Sequence, residues 1–395
     1  MKITGIAAEY NPFHLGHAYH LQKSREEDPE RCIVAVMSGD FVQRGEAASY
    51  NKYARAEAAC RCGVDLVVEL PLAWALSSAE GFARGAVRIL SGIGADTIAF
   101  GAESEKLSEL EEIADALLQE DFVHAVRERL TREPRQSFAA ARQRTAEERL
   151  GRPLPEMKQP NNILAIEYLK AIHELQPALR PLAVRRFGAE HDSAGEGGIL
   201  SAKALRTLLA EGNPIDRWIP GEAAIIFGKE TREGRQVYGG NTYERVLLSR
   251  LRSLQCGDFC ELNDAEGGLG QKLFNAVRTA GSMEEIIREV SSSRYASARV
   301  RRLCLCAALG VQPAARENLP GYARILAFNG RGREILKSVR GIQVLTKTGD
   351  YRILDGESRI QVELAAAAHD FYTLCYPHAG PWPAGEDWRK GPTRC

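Results

Sequence analysis

The sequence predicts an α/β protein with a mainly parallel sheet, followed by a mostly helical C-terminal part. Three observations carry this prediction. Short, continuous apolar runs recur at residues 3–8, 32–37, 64–70 and 97–100, the pattern of strands buried on both faces. Helical text separates them, so each step from strand to strand needs a crossover, and crossovers make parallel neighbours. After Pro214 and Pro220 the strand pattern gives way to helices, which marks a boundary near residues 211–222.

The elements follow in order. The first strand ends in Glu9-Tyr10-Asn11-Pro12-Phe13-His14-Leu15-Gly16-His17, and a helical pattern starts at His17. Pro12 turns Asn11 away from helix, and Gly16 allows a close approach of backbone or phosphate. A helix N-terminus beside a strand end gathers orphan N–H groups and the positive end of the helix dipole, which suits a phosphate. His14 and His17 can both donate to a phosphoryl oxygen there. The second strand, 32–37, runs into Ser38-Gly39-Asp40 and the Phe41-Val42-Gln43-Arg44-Gly45-Glu46 loop. A helix over 51–61, a strand stopped by Pro71, a helix over 79–90 and a strand stopped by Gly101 come next. Residues 104–150 read as charged, solvated helices. Asn161 and Asn162 open a helix over 163–174, either as caps or as readers of a nucleoside. A short strand over 182–187 follows.

Ser201 reads as the cap of another helix, and Arg206 follows one and a half turns later. Together they form a candidate phosphate clamp. Farther on, helices are expected over 241–254, 268–280, 283–290, 296–309 and 359–372, with a β-like stretch at 343–346. Residues 377–395 contain four prolines and read as a loosely ordered tail. The domain expectation is therefore 1–212 for catalysis, 213–376 for a helical domain, and 377–395 for a tail. Arg294, Tyr295, Arg299, Arg301 and Arg302 cluster as a candidate RNA surface.

Composition narrows the classes. With 52 Lys+Arg against 52 Asp+Glu, bulk charge offers nothing to nucleic acid, so any RNA must use a local patch. No apolar run reaches the ~18 residues of a membrane span, and no signal-peptide pattern opens the chain. Nine scattered cysteines, among them Cys60-x-Cys62 and Cys304-x-Cys306, lack zinc-ligand spacing and suit reduced thiols in a cytoplasm.

His14-Leu15-Gly16-His17 resembles the HxGH signature of the nucleotidylyltransferase superfamily, whose Rossmann-like domain binds ATP. The longer string from Glu9 to His17 resembles one branch, the bacterial tRNA(Met) cytidine acetate ligases. Further blocks resemble the same branch: Met37-Ser38-Gly39, the Gln43-Arg44-Gly45 loop, Glu69-Leu70-Pro71, Phe100-Gly101, Asn161-Asn162-Ile163-Leu164, Arg186-Phe187, the Ser201 to Arg206 element and Pro320-Gly321-Tyr322. Lys203 and the Glu266-Gly267-Gly268-Leu269 segment depart from the family pattern.

The resemblance implies ATP contacts from Ala7, Ala8, Glu9, Tyr10, Asn11, Pro12, Phe13, His14, Leu15, Gly16, His17, Ala18, Tyr19 and His20. It extends them to Gly101, Asn161 or Asn162, Arg186 and Phe187. It also implies acetate as substrate, Mg2+ arriving with ATP, no dedicated metal cage, and tRNA as the acetyl acceptor, with His14 and His17 catalytic. Two other readings share the first domain. One is a nucleotidylyltransferase of cofactor synthesis. The other is a nucleotide-sensing RNA-binding protein without catalysis.

Overall fold

The structure, a computed structural model, describes residues 1–26, 28–104, 106–133, 136–185, 199–237, 241–378 and 380–395. Its strands are β1 (Ile3–Ala8), β2 (Cys32–Ser38), β3 (Phe41–Val42), β4 (Glu46–Ala47), β5 (Leu66–Leu70), β6 (Thr97–Ala102), β7 (Arg180–Arg185), β8 (Tyr322–Phe328), β9 (Gln343–Leu345) and β10 (Thr393–Arg394). The main sheet runs β10-β8-β5-β2-β1-β6-β7, with β9 also paired to β8. The pairs from β5 through β7 are parallel, and β8 joins β5 antiparallel. β3 and β4 form a separate hairpin.

Alternation along β2 shows why the sheet is closed on both sides. Cys32, Val34 and Val36 enter one core and Ile33, Ala35 and Met37 the other. Helices Ala79–Ile93, Leu107–Leu118 and Pro160–Leu175 cover the first face. Helices Lys52–Arg61, Ala202–Ala210 and Gly221–Arg232 cover the second. Ser78 caps the Ala79–Ile93 helix by accepting from the Gly81 N–H at 3.3 Å. Gly94 ends it at φ +97, a left-handed turn that suits glycine. A third core joins helices Asn241–Arg252, Leu269–Thr279, Met283–Val290, Ser297–Leu309 and Gly356–Thr373.

The chain steps outward from β1 through β2 to β5, then returns to lay β6 and β7 on the other side of β1. The crevice beyond the carboxyl ends of β1 and β6 is thus a topological switch point, where doubly wound sheets take their ligands.

Several expectations change. The first helix begins at Leu15 rather than His17, because the His14 side chain is its cap. The expected strand over 182–187 is β7 at Arg180–Arg185, while Arg186 and Phe187 lie outside the described residues. The break near residue 212 does not divide the sheet, since β8, β9 and β10 come from the far end of the chain. β8 was hidden within text read as helical because its sheet partner β5 is some 250 residues away in sequence.

The expected loose tail is docked. The buried Asp387 carboxylate accepts from Lys52 Nζ at 2.6 Å, Arg324 Nη1 at 2.7 Å and the Tyr53 hydroxyl at 2.8 Å. Lys52 also reaches Glu69 at 2.8 Å. Burial opposes the Asp387 charge, yet Lys52 and Arg324 hold its carboxyl below the ordinary carboxylate range. Beside it, His369 meets Asp40 at 2.7 Å and Glu386 at 3.1 Å through its two ring nitrogens. Burial works against that imidazolium, but the two carboxylates raise it to about 9.

Asp387→Ala is expected to cost about 3–5 kcal/mol of folding stability, because it strands two buried cations with Glu69 alone. Urea unfolding measures this, and an unshifted midpoint would show that the network carries little stability.

Candidate active site

The strand-loop-helix unit at the switch point is built by its own sequence. Tyr10, leaving β1, has φ +47, an uncommon value for a bulky residue. It is held there by burial and by edge contacts with Phe13 and His17, each with centroids at 4.9 Å. His14 is extended and accepts from the Gly16 N–H on Nδ1 at 3.0 Å. His17 Nδ1 accepts in turn from the His14 N–H at 3.2 Å. The rings stack at 3.8 Å. With both Nδ1 atoms accepting, a neutral ring carries its proton on Nε2, the tautomer that donates to a phosphoryl oxygen. Gly16 is required by contact, since a Cβ there would lie 2.8 Å from His14 Cε1. The Leu15–Ser24 helix has no acid in its first turn, so its positive end is uncompensated by its own side chains.

The remaining candidates surround this unit. Gly101 lies near the end of β6, beside β1. The Asn162 side chain is buried, and its oxygen accepts from the Glu103 N–H at 2.8 Å and the Ser104 N–H at 3.0 Å. That side chain fixes the loop after β6 and is committed to it. Asn161 hydrogen-bonds the Glu103 carboxylate. Ser201 caps its helix, accepting from the Ala204 N–H at 3.2 Å. The buried Arg206 donates to the Asn11 carbonyl at 3.1 Å and lies 3.7 Å from Glu46, so it braces the loop that holds the histidines.

The β3–β4 hairpin packs against the end of β1. Glu9 accepts from the Gln43 N–H at 3.0 Å. Burial raises the Glu9 carboxyl above its ordinary value, against the pull of Arg44 and Arg206. Gln43 also accepts from Arg302 at 3.4 Å, and a Cβ on Gly45 would sit 2.6 Å from the Arg302 nitrogen. The hairpin therefore joins the sheet to the Ser297–Leu309 helix. Sequence reasoning singled out the loop without assigning roles to Gln43, Arg44 or Glu46. Its position after a strand end was the available signal.

The arginine cluster is only partly exposed. Tyr295 is buried and donates to the Gly267 carbonyl at 2.9 Å, which removes it as a base-stacking residue. Arg299 donates to the Asp264 carbonyl at 2.9 Å. Arg302 is largely enclosed, and burial lowers its pKa. Arg294 is exposed, 5.4 Å from the Tyr295 ring. Arg301 is half-buried and approaches Glu46 at 4.0 Å. Among the described residues, no group of three His, Cys, Asp or Glu side chains could hold a metal ion, and no helix is long and apolar enough to cross a membrane.

Paired histidines capping a helix at the switch point of a parallel sheet are the site of a HIGH-type nucleotidyl transferase. The sequence profile described as HIGH Nucleotidyl Transferase matches residues 1–382. A tRNA(Met) cytidine acetate ligase of Acetivibrio thermocellus is 33% identical, over 99% of each chain. The crystal structure of apo Thermotoga maritima TmcAL superposes with a TM-score of 0.92 at 31% identity, over 100% of this chain and 99% of the other. The same protein bound with alpha-thio ATP gives 0.90 at 31% identity, over the same shares of the two chains. The chain belongs to the tRNA(Met) cytidine acetate ligase family, a branch of the HIGH nucleotidyl transferases.

Alanine at His14 or His17 is expected to slow ATP–pyrophosphate exchange by about 100-fold or more, the usual loss for a donor aimed at transition-state charge. Radiolabelled exchange measures it, with circular dichroism as the folding control. Retention of at least half of wild-type exchange in both variants would remove the histidines from catalysis.

Proposed function

We propose that the protein activates acetate with ATP and transfers the acetyl group to N4 of the wobble cytidine of elongator tRNA(Met). The observation that carries this reading is the His14–His17 pair at a helix N-terminus, in a chain whose relatives bear the acetate ligase name. The binding of alpha-thio ATP by a structural relative supports ATP as the activating nucleotide.

In the first step an acetate oxygen attacks the α-phosphorus in line. The bond from that phosphorus to the bridging oxygen breaks, and pyrophosphate leaves. The work is positioning and charge neutralisation, since acetate is already a nucleophile and pyrophosphate a competent leaving group. His14 and His17 donate to the phosphoryl oxygens, and the helix end adds its dipole. Ala7 to His20 line the phosphate path. Gly101 and Asn161 face the nucleoside, while Asn162 holds their loop. In the second step the cytidine amine attacks the acetyl carbonyl, AMP departs, and the amine loses a proton. Mg2+ accompanying ATP would offset phosphate charge, and the described residues offer it no cluster of three His, Cys, Asp or Glu side chains.

The tRNA is held by the helical part, where Arg294 and Arg301 offer the reachable charges of the cluster and Arg299 and Arg302 brace their neighbours.

ATP–pyrophosphate exchange with and without acetate, repeated with bulk tRNA, tests the activation step. Exchange that depends on acetate is the expected result. Exchange indifferent to acetate but driven by a phosphorylated small molecule would replace this reading with cofactor synthesis. Charge reversal at Arg294 and Arg301 together is expected to weaken tRNA binding about tenfold or more and to flatten its salt dependence, while leaving acetate-dependent exchange in place. An unchanged Kd across a salt series would clear this patch of any role.

A further inference from the structure

The guanidinium groups around the crevice have different duties. Arg206 donates to Asn11 and faces Glu46. Arg302 donates to Gln43, and Arg301 leans on Glu46. Arg44 is exposed, and among the described residues it makes no hydrogen bond and no ion pair. It stands at the tip of the β3–β4 hairpin, in a three-residue turn closed by the Gly45 N–H donating to the Val42 carbonyl at 2.9 Å. Gly45 takes φ +77 there, the left-handed value this turn type needs.

The tip is rigidly mounted. On one side Gln43 N–H is bound to the Glu9 carboxylate at the end of β1. On another its amide nitrogen donates to the Ser77 carbonyl at 3.4 Å. Behind it, Gly45 is pressed against Arg301 and Arg302 of the Ser297–Leu309 helix. Phe41, at the base of the hairpin, is buried against Phe371 and Tyr372. The Arg44 charge, like that of Arg206, pulls down the carboxyl of Glu9, two residues before the histidine loop begins at Asn11, against the effect of burial. An exposed guanidinium without a hydrogen bond or ion pair among the described residues is therefore carried on an anchored hairpin tip beside Glu9, at the strand end from which the histidine loop departs. Its planar fork matches a carboxylate in geometry and charge.

We infer that Arg44 binds the carboxylate of the acid substrate and holds it for in-line attack on the α-phosphorus. The inference rests on the activation reaction proposed above. The chemistry explains the need. Acetate and the ATP phosphates are both anions, so the attack brings like charges together. A guanidinium on the incoming carboxylate offsets that repulsion and fixes its orientation. One carboxylate oxygen stays on Arg44 while the other forms the bond to phosphorus and pyrophosphate departs with its electron pair. Arg44 is not consumed and transfers no proton.

The test compares Arg44→Gln and Arg44→Lys with wild-type protein in acetate-dependent ATP–pyrophosphate exchange. The acetate KM is expected to rise about tenfold or more in R44Q, and R44K is expected to recover part of the loss by keeping the charge without the fork. The Kd for ATP, read by titration calorimetry, is expected to stay within about twofold, which separates loss of acid binding from collapse of the site. An unmoved acetate KM in both variants overturns the proposal. So does an unmoved acetate KM with weakened tRNA binding, which would make Arg44 an RNA-phosphate contact. If wild-type protein shows no acetate-dependent exchange with or without tRNA, the proposed reaction itself falls and takes this role with it.

Discussion

The buried guanidinium of Arg55 is the constraint on which the site depends. It donates to the carbonyls of Tyr50 at 2.9 Å, Glu9 at 2.6 Å and Ser38 at 3.2 Å, and to that of Gly39. Those carbonyls belong to the ends of β1 and β2 and to the segment entering the Lys52–Arg61 helix. A buried cation is costly unless its hydrogen-bonding capacity is filled, and here backbone oxygens fill it. Burial lowers its pKa, with Asp40 and Glu9 acting in the opposite sense, and arginine remains charged throughout the ordinary pH range. One side chain thereby sets where β1 stops relative to β2, and so where the histidine loop starts. Arg206, from a helix some 195 residues later in sequence than Asn11, fixes the same loop from its far side.

Around that clamp the sheet part and the C-terminal helices are joined by polar contacts and by apolar ones, with Phe41, Ala47, Leu72, Ala73 and Leu76 entering the core of those helices. The sheet has its two cores, and the C-terminal helices have a third. The β3–β4 hairpin spans the boundary, carrying Phe41 into the helical core and Gln43 to Glu9. The Lys52–Asp387 and Asp40–His369 pairs fasten the end of the chain to the segment just after β2. A displacement of the helical part has a short path to the nucleotide site, through Arg302 to Gln43 and from Gln43 to Glu9. With the tRNA held by the helical part, as proposed above, activation and acceptor binding would be mechanically adjacent, which suits a two-step transfer with a reactive intermediate.

The sequence displayed whatever is local. β1, β2, β5 and β6 are continuous apolar runs, and the helix cap at Ser201 is a side chain whose chemistry is fixed by type. The histidine loop was legible because strand, turn and helix succeed one another within twenty residues. What stayed hidden depends on distant partners. β8 is an apolar run that contains Arg324, and Asp387, Glu69 and the Tyr53 hydroxyl, all distant in sequence, make that arginine acceptable in a buried strand. Proline-rich text after residue 377 looks loose until Asp387 finds Lys52. Arg55 lies in a helix that reads as ordinary, because backbone carbonyls as partners leave no trace in composition. Tyr295 seemed available to a base because burial cannot be read from a single aromatic beside arginines.

In this chain of zero formal net charge the acceptors of the arginines also differ from one segment to another. Two segments are rich in arginine. In residues 106–158 the arginines meet carboxylates: Arg129 with Glu148, Arg144 with Glu133, Arg149 with Asp121, Arg152 with Glu112. Their charge is cancelled at contact distance, and a phosphate backbone approaching them gains little. In the C-terminal helices several arginines also meet carboxylates, Arg288 with Glu285, Arg299 with Glu266 and Arg316 with Asp264, but backbone carbonyls are frequent partners. Arg250 donates to Ala308, Arg252 to Ala280, Arg278 to Arg252 and Leu254, Lys272 to Val290, and Arg299 to Asp264. Most of those carbonyls end helices, and a helix end carries only about half a negative charge. The cation is held in place while much of its charge remains. Arginine counts alone would rank the two segments as equals. The larger share of carbonyl acceptors in the C-terminal helices is consistent with the tRNA-holding role proposed for them.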